Sequence, residues 1–222
     1  MIITLENVIS ETEITEIQRD LSNAEFIDGK LTAGWHAKLV KNNSQLKRNS
    51  KAEQTLSAFI KQKLFSNPLF QAVSYPRYIH SLLISRYDTG MSYGRHVDNA
   101  FMGKAPKRRS DISFTVFLNN PEDYNGGELC FEFSDGEKNH KLSAGDAILY
   151  PSSTIHEVKE VTSGHRLVVV GWVESYIRDP NQRELLFDLD TAKRSLFQKM
   201  GKTIEFDLIA KTHSNLLRQW SN

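Results

Sequence analysis

The sequence predicts an α+β fold with a mainly β core, an antiparallel sandwich or barrel of which the jelly roll is one form. Three observations predict it. Helical periodicity is confined to the two ends of the chain. The middle, from about residue 77 to 175, breaks into short apolar runs. Turn-forming clusters separate those runs, and no helical pattern alternates with them.

The N-terminal part supplies supporting helices. Ser10-Glu11-Thr12-Glu13 reads as a capping box, with Ile14, Ile17 and Leu21 at helical spacing behind it. Ala52, Leu56, Ile60 and Leu64 form a second apolar stripe, which Asn67-Pro68 should end. Between them Lys41-Asn42-Asn43-Ser44 is polar and reads as loop. Strands are expected at residues 80–87, 111–118, 128–133, 147–150, 154–161 and 166–175. The turns between them are Asn119-Asn120-Pro121, Asn125-Gly126-Gly127, Ser134-Asp135-Gly136 and Ser163-Gly164. Beyond Asp179-Pro180 helical stripes return, first Leu185, Leu189, Ala192 and Leu196, then Ile209, His213, Leu216 and Trp220. The chain thus divides into a helical support region at 1–76, a β core at 77–178 and a helical extension at 179–222. The extension is too small to stand alone and is expected to pack on the core or on a second copy, making a homo-oligomer.

Composition narrows the function classes. The 222 residues are 39% hydrophobic and 25% charged, an ordinary balance for one folded domain. Net charge is +1, so no bulk attraction draws the chain to nucleic acid or an anionic membrane. The run Lys104-Ala-Pro-Lys107-Arg108-Arg109 reads as a solvated loop. The single cysteine, Cys130, rules out an intramolecular disulfide and a cysteine-rich zinc site. No signal peptide or membrane-spanning run is visible, so a reducing, cytoplasmic setting is expected. Gly-x-Ser-x-Gly, P-loop and Gly-x-Gly-x-x-Gly patterns are all missing.

Chemistry concentrates in Tyr87-Asp-Thr-Gly90-Met-Ser-Tyr93-Gly-Arg-His96-Val-Asp98. On an extended segment His96 and Asp98 point to one face, about 6.6 Å apart along the strand. Alone, the pair is weak evidence for a metal, and a loop in which Asp98 orients His96 or caps a turn is the simpler reading. His156, in the strand-like run Thr154-Ile155-His156-Glu157-Val158, would complete a face of two histidines and one carboxylate. That face leaves the remaining positions of an octahedral ion open, as in non-haem Fe(II) oxygenases. Arg166 then gains meaning. If Thr162-Ser163-Gly164 turns a hairpin, Glu160 pairs with Arg166, which shares a strand face with Val158 and His156 roughly 13 Å from the metal ligand. A guanidinium there suits the far carboxylate of a short dicarboxylate chelating the metal. A one-residue slip would turn Arg166 outward.

These residues, followed by Asn125-Gly126-Gly127-Glu128-Leu129, His156-Glu157-Val158 and Gly164-His165-Arg166, resemble the prolyl-4-hydroxylase branch of Fe(II)/2-oxoglutarate dioxygenases. The stretch from Trp172 to Asp179, the run Gln182-Arg183-Glu184-Leu185-Leu186-Phe187-Asp188-Leu189 and the closing Asn215-Leu216-Leu217-Arg218-Gln219-Trp220 are similar to bacterial PKHD-type hydroxylases. The resemblance implies a double-stranded β-helix, with His96, Asp98 and His156 holding iron and Arg166 anchoring 2-oxoglutarate. Tyr87 matches a tyrosine lining the cosubstrate pocket. Some relatives carry a further tyrosine on the strand equivalent to Phe114-Thr115-Val116-Phe117, where this chain has no phenol.

The implied reaction is hydroxylation of an unactivated C–H bond by O2 and 2-oxoglutarate, with release of succinate and CO2. Ascorbate would keep the iron ferrous, and the substrate would be a prolyl or other amino-acid side chain, free or in a peptide or protein. Residues 38–49 and 100–109 carry no recognisable substrate code. Two rival readings are a cupin-like barrel using another ion without 2-oxoglutarate, and a non-catalytic iron or oxygen sensor. His36, His80, His140, His165 and His213 receive no role.

Overall fold

Local signals start each helix of the computed structural model, which describes residues 1–103 and 105–221. Lys104, the first residue of the basic run, lies outside the described residues. Strand β1 (Ile3–Leu5) leads into helix α1 (Glu11–Ser22), whose capping box forms: the Ser10 hydroxyl accepts from Glu13 N while the Glu13 carboxylate accepts from Ser10 N at 3.0 Å. Strands β2 (Phe26–Asp28), β3 (Lys41–Asn42) and β4 (Ser44–Leu46) follow, with 3-10 turns at Gly29–Thr32 and Ala37–Leu39. Helix α2 (Lys51–Ser66) starts at the Ser50 cap. Asn67 ends it and at once caps α3 (Pro68–Ser74), accepting from Phe70 N at 2.9 Å, because proline is well suited to a first helical position.

The β core then runs through β5 (Pro76–Asp88), β6 (Ser92–His96), β7 (Phe101–Met102), β8 (Arg108–Arg109) and β9 (Ile112–Phe117). It continues with β10 (Tyr124–Gly126), β11 (Leu129–Phe133), β12 (Gly136–His140), β13 (Ala147–Pro151), β14 (His156–Val158) and β15 (Val161–Ser175). Helices α4 (Pro180–Met200) and α5 (Ile204–Trp220) close the chain.

Two antiparallel sheets face each other. The larger has the order β1-β13-β9-β15-β5-β4-β2, with β10 also paired to β15; the smaller has the order β12-β11-β14-β6-β3. Strand alternation splits the core into two layers. On β9, Ile112, Phe114 and Val116 point outward to a cluster that includes Ile14, Leu56, Ile60 and Leu64 of α1 and α2, while Phe117 points inward with Phe131, Ile148 and Tyr150. All six residues of β9 are buried, as expected for a strand covered on both faces. Each fully buried Ile, Leu or Phe contributes about 1.5–3 kcal/mol.

Several local expectations need correction. The N-terminal region contains four strands besides its helices; Lys41-Asn42 and Ser44 are strand, Asn43 lies between β3 and β4, and both Lys41 and Asn43 are buried. Of the stretch 154–161 only His156–Val158 pairs as β14. The hairpin at Thr162-Ser163-Gly164 does not form, because these residues already belong to β15 and pair with β10, Ser163 opposite Asn125 and Gly164 opposite Tyr124. Gly164 has φ +72°, and a Cβ there would sit 2.2 Å from the Asp123 carbonyl oxygen, so glycine lets β10 close in. Arg166 therefore pairs with Tyr87 on β5, and not with Glu160. On α4 the buried residues are Arg183, Leu186 and Asp190, while Leu185 is exposed. The stripe is rotated because Arg183 turns inward to donate to the carbonyls of Ile177 and Arg178, at 2.8 and 2.9 Å. His213 of α5 is buried, and its Nε2 lies 3.2 Å from the Tyr75 hydroxyl. Among the described residues no helix is long and apolar enough to cross a membrane.

Candidate active site

The smaller sheet and the segment after β6 bring the first cluster together. His156 on β14 is paired with His96 at the end of β6, and their rings lie 4.3 Å apart. Asp98 follows two residues later, its Oδ2 4.0 Å from His156 Nε2. One ligand atom from each of His96, Asp98 and His156 lies within 4.8 Å of the others.

Both imidazoles have a defined orientation. Nδ1 of His96 donates to the Gly94 carbonyl at 2.8 Å, and Nδ1 of His156 to the Thr154 carbonyl at 2.9 Å. This leaves each Nε2 as the basic nitrogen, the usual device for a metal-binding histidine. Burial, aided by neighbouring His156, pushes His96 down to about 4, so its imidazole is neutral near pH 7. The Asp98 carboxylate accepts a hydrogen bond from the Ser113 hydroxyl at 2.6 Å, and Ser113 lies 2.8 Å from Ser152. Tyr93 stacks on His96 at 3.7 Å, and the Tyr150 hydroxyl lies 3.4 Å from His156 Nε2. A facial set of two imidazole nitrogens and one carboxylate oxygen fits a ferrous ion and leaves room for further ligands.

Arg166 reaches the same cavity from the opposite sheet. Its residue is 1% exposed, and its guanidinium lies 5.2 Å from the Tyr87 ring centroid and 5.5 Å from that of Phe117. Burial raises the Tyr87 phenol, while Arg166 opposes that shift. Arg166 Nε and the Tyr124 hydroxyl are both buried without a hydrogen-bond partner among the described residues. A buried cation and a buried phenol left in this state suit an incoming carboxylate. The residues present therefore fit a 2-oxoglutarate molecule as well as the metal. The cavity, about 830 Å³, is lined by His96, Asp98, His156, Tyr87 and Arg166 together with Thr115, Tyr150 and Lys41.

Sequence reasoning missed Ser113, Tyr124, Tyr150, Lys41 and Asn43. Ser113 and Tyr150 sit in expected strands where they read as core packing, and Tyr124 lies between two turn clusters. Tyr124 supplies a phenol beside Arg166 from β10, although the strand Ile112–Phe117 offers none. A second group of potential ligands, Cys130, Glu137 and Glu157, is of another kind. There the Lys159 ammonium bonds both carboxylates, 3.1 Å from Glu137, so both already have a cationic partner.

Comparison with known proteins bears directly on this arrangement. Residues 82–174 match the 2OG-Fe(II) oxygenase superfamily, and residues 181–222 match the PKHD-type hydroxylase C-terminal domain. A PKHD-type hydroxylase of Acaryochloris marina is 61% identical over 221 residues, covering 100% of each chain. The chain belongs to the PKHD-type hydroxylase family. A second PKHD-type hydroxylase, from Rippkaea orientalis, is 54% identical over 220 residues, or 99% of each chain. As a PKHD-type hydroxylase the chain is an enzyme of the 2-oxoglutarate and Fe(II) oxygenase class. Its jelly roll is shared with distant solved structures. A Pseudomonas putida prolyl-4-hydroxylase superposes with a TM-score of 0.55 at 17% identity, covering 78% of this chain and 92% of its own. A Trichoplax adhaerens prolyl hydroxylase, solved with a hypoxia inducible factor peptide fragment, gives 0.56 at 17% identity, covering 83% and 86%.

Proposed function

We propose that His96, Asp98 and His156 hold Fe(II), that Arg166 with Tyr87 anchors 2-oxoglutarate, and that the enzyme hydroxylates a prolyl or other amino-acid side chain. The observation that carries this reading is the convergence of the three ligand atoms and the unpaired Arg166 Nε on one cavity. The core at 77–178 carries the chemistry, with 1–76 supporting it and 179–222 as a helical extension.

When bound, iron and 2-oxoglutarate supply the oxidation: O2 and the cosubstrate yield succinate and CO2, and one oxygen atom becomes the hydroxyl of the product. The chain's own residues set the geometry. Carbonyls of Gly94 and Thr154 hold the two imidazoles in the ligating tautomer, and Ser113 holds Asp98 against rotation. Arg166 stays charged in its buried position and fixes the far carboxylate as a fork. Tyr87 and Tyr124 flank that guanidinium, and Phe117 and Val168 keep water from it. Ascorbate would support turnover by keeping the iron ferrous.

The test is spectroscopic first. Under anaerobic conditions Fe(II) with 2-oxoglutarate should give a visible charge-transfer band, and admitting O2 should release succinate. His96→Ala and Asp98→Ala should abolish both, and wild-type turnover in either would sink the assignment. Arg166→Ala should raise the 2-oxoglutarate requirement by at least tenfold with iron binding retained; an unchanged requirement removes it from the cosubstrate site.

A further inference from the structure

A second buried cation shares the cavity with Arg166. Lys41 on β3 is 5% exposed, and its ammonium lies 5.1 Å from the ring centroid of Tyr93, the residue stacked on His96. It donates to the Thr32 hydroxyl at 3.2 Å, one bond for a group with three donors. Thr32 belongs to the 3-10 turn Gly29–Thr32, whose neighbour Leu31 is exposed while also lining the cavity, so Lys41 sits toward the mouth. Arg166 has different neighbours in the cavity wall, packing against Tyr87 and Phe117. Among the described residues no carboxylate comes within 4.0 Å of Lys41; Asp98 and Asp28 act on it only from longer range.

Alternation makes Lys41 part of a set. Lys41, Asn43 and Gln45 are buried and line the cavity, whereas Asn42 is exposed. Gln45 is engaged, its Oε1 2.6 Å from Thr32 Oγ1 and its Nε2 3.3 Å from Ser85 Oγ. Asn43 is not: both polar atoms of its side-chain amide are buried without a hydrogen-bond partner among the described residues. A buried ammonium and an unsatisfied amide two residues apart are costly unless something binds them.

Charge decides what that is. On the proposed function, the ferrous ion, Asp98, the 2-oxoglutarate dianion and Arg166 sum to zero. Lys41 then remains as one surplus positive charge in a desolvated site, matched by a single negative charge and not by a doubly charged phosphate. We infer that Lys41 anchors a carboxylate of the primary substrate, with Asn43 reading the adjoining amide, so that the hydroxylated unit is an acid-bearing amino-acid residue. This inference rests on the cosubstrate being held at Arg166.

Anaerobic enzyme loaded with Fe(II) and 2-oxoglutarate provides the test. A panel of N-acetyl amino acids is titrated calorimetrically against the matching carboxamides, with the charge-transfer band recorded in parallel. N-acetyl aspartate and glutamate carboxamides separate a side-chain carboxylate from a main-chain one. Wild type should bind at least one carboxylate at least tenfold more tightly than its uncharged amide. Lys41→Met, which keeps the aliphatic stem, should erase that preference while leaving the band within twofold, and Lys41→Arg should retain most of it. Should Lys41→Met fail to fold, Lys41→Gln carries the same comparison. No carboxylate preference in wild type, or a preference that survives in a folded uncharged variant, overturns the inference. A normal band without preference overturns the carboxylate anchor alone. A preference without any band supports the anion site and overturns the iron and 2-oxoglutarate reading.

Discussion

Behind Asp98, the Ser113 hydroxyl at 2.6 Å holds the carboxylate toward the histidines, and Ser152 at 2.8 Å holds Ser113 in turn. Ser113→Ala should lower iron affinity about 10–100-fold, as loss of a group orienting a ligand commonly does. An anaerobic Fe(II) titration checks this, and unchanged affinity would show that Asp98 needs no support. His96 and Asp98 were legible as a pair because a strand puts i and i+2 on one face. Ser113 was not, because β9 is buried on both sides and nothing along the strand tells which buried residue meets Asp98. Lys41 and Asn43 were misread for the opposite reason. Their polarity suggests loop, yet Lys41 is on the edge strand β3, and both it and Asn43, just after that strand, face a cavity.

At the scale of elements, the helices hold the outer face of the larger sheet, and capping sets where they start. Glu13 combines two duties: it closes the capping box of α1 and accepts an ion pair from Lys63 of α2 at 2.6 Å. These partners hold its carboxyl at about 2, below its ordinary 4.5. A depressed folded value stabilises above the unfolded one, and the contribution is lost as pH falls through that interval. Glu13→Gln should therefore cost about 1 kcal/mol at neutral pH. The difference should shrink below about pH 4.5 and vanish near pH 2. Urea unfolding of both proteins across that range measures it, and a pH-independent difference would refute the linkage. The capping signal was readable because it is local. The rotated face of α4 was not, because Arg183 is drawn inward by the carbonyls of Ile177 and Arg178 just before the helix, contacts that apolar periodicity does not report.

Across the whole molecule, the cavity lies between two sheets that exist only in the folded state. Fe(II) and 2-oxoglutarate should then stabilise the fold by mass action, by about 2.7 kcal/mol at 100 times the dissociation constant. For a chain of this size that raises the melting temperature by roughly 5–10 °C. Differential scanning fluorimetry under nitrogen, with and without a chelator, measures the shift. A shift that survives chelation would place binding elsewhere.

By itself the sequence determined the mainly β core, the capping signals and the family motifs, all carried by residues close together along the chain. It also singled out Arg166, though through a hairpin that does not form. What the tertiary structure alone decided is which strands face each other. β14 meets β6, so His156 joins His96 and Asp98 across the smaller sheet. β15 pairs with β5 and β10, so Arg166 arrives from the larger one with Tyr87 and Tyr124 beside it. The physical reason is that periodicity reports which face a residue takes on its own strand, whereas the partner of that face is chosen by packing between strands distant in sequence.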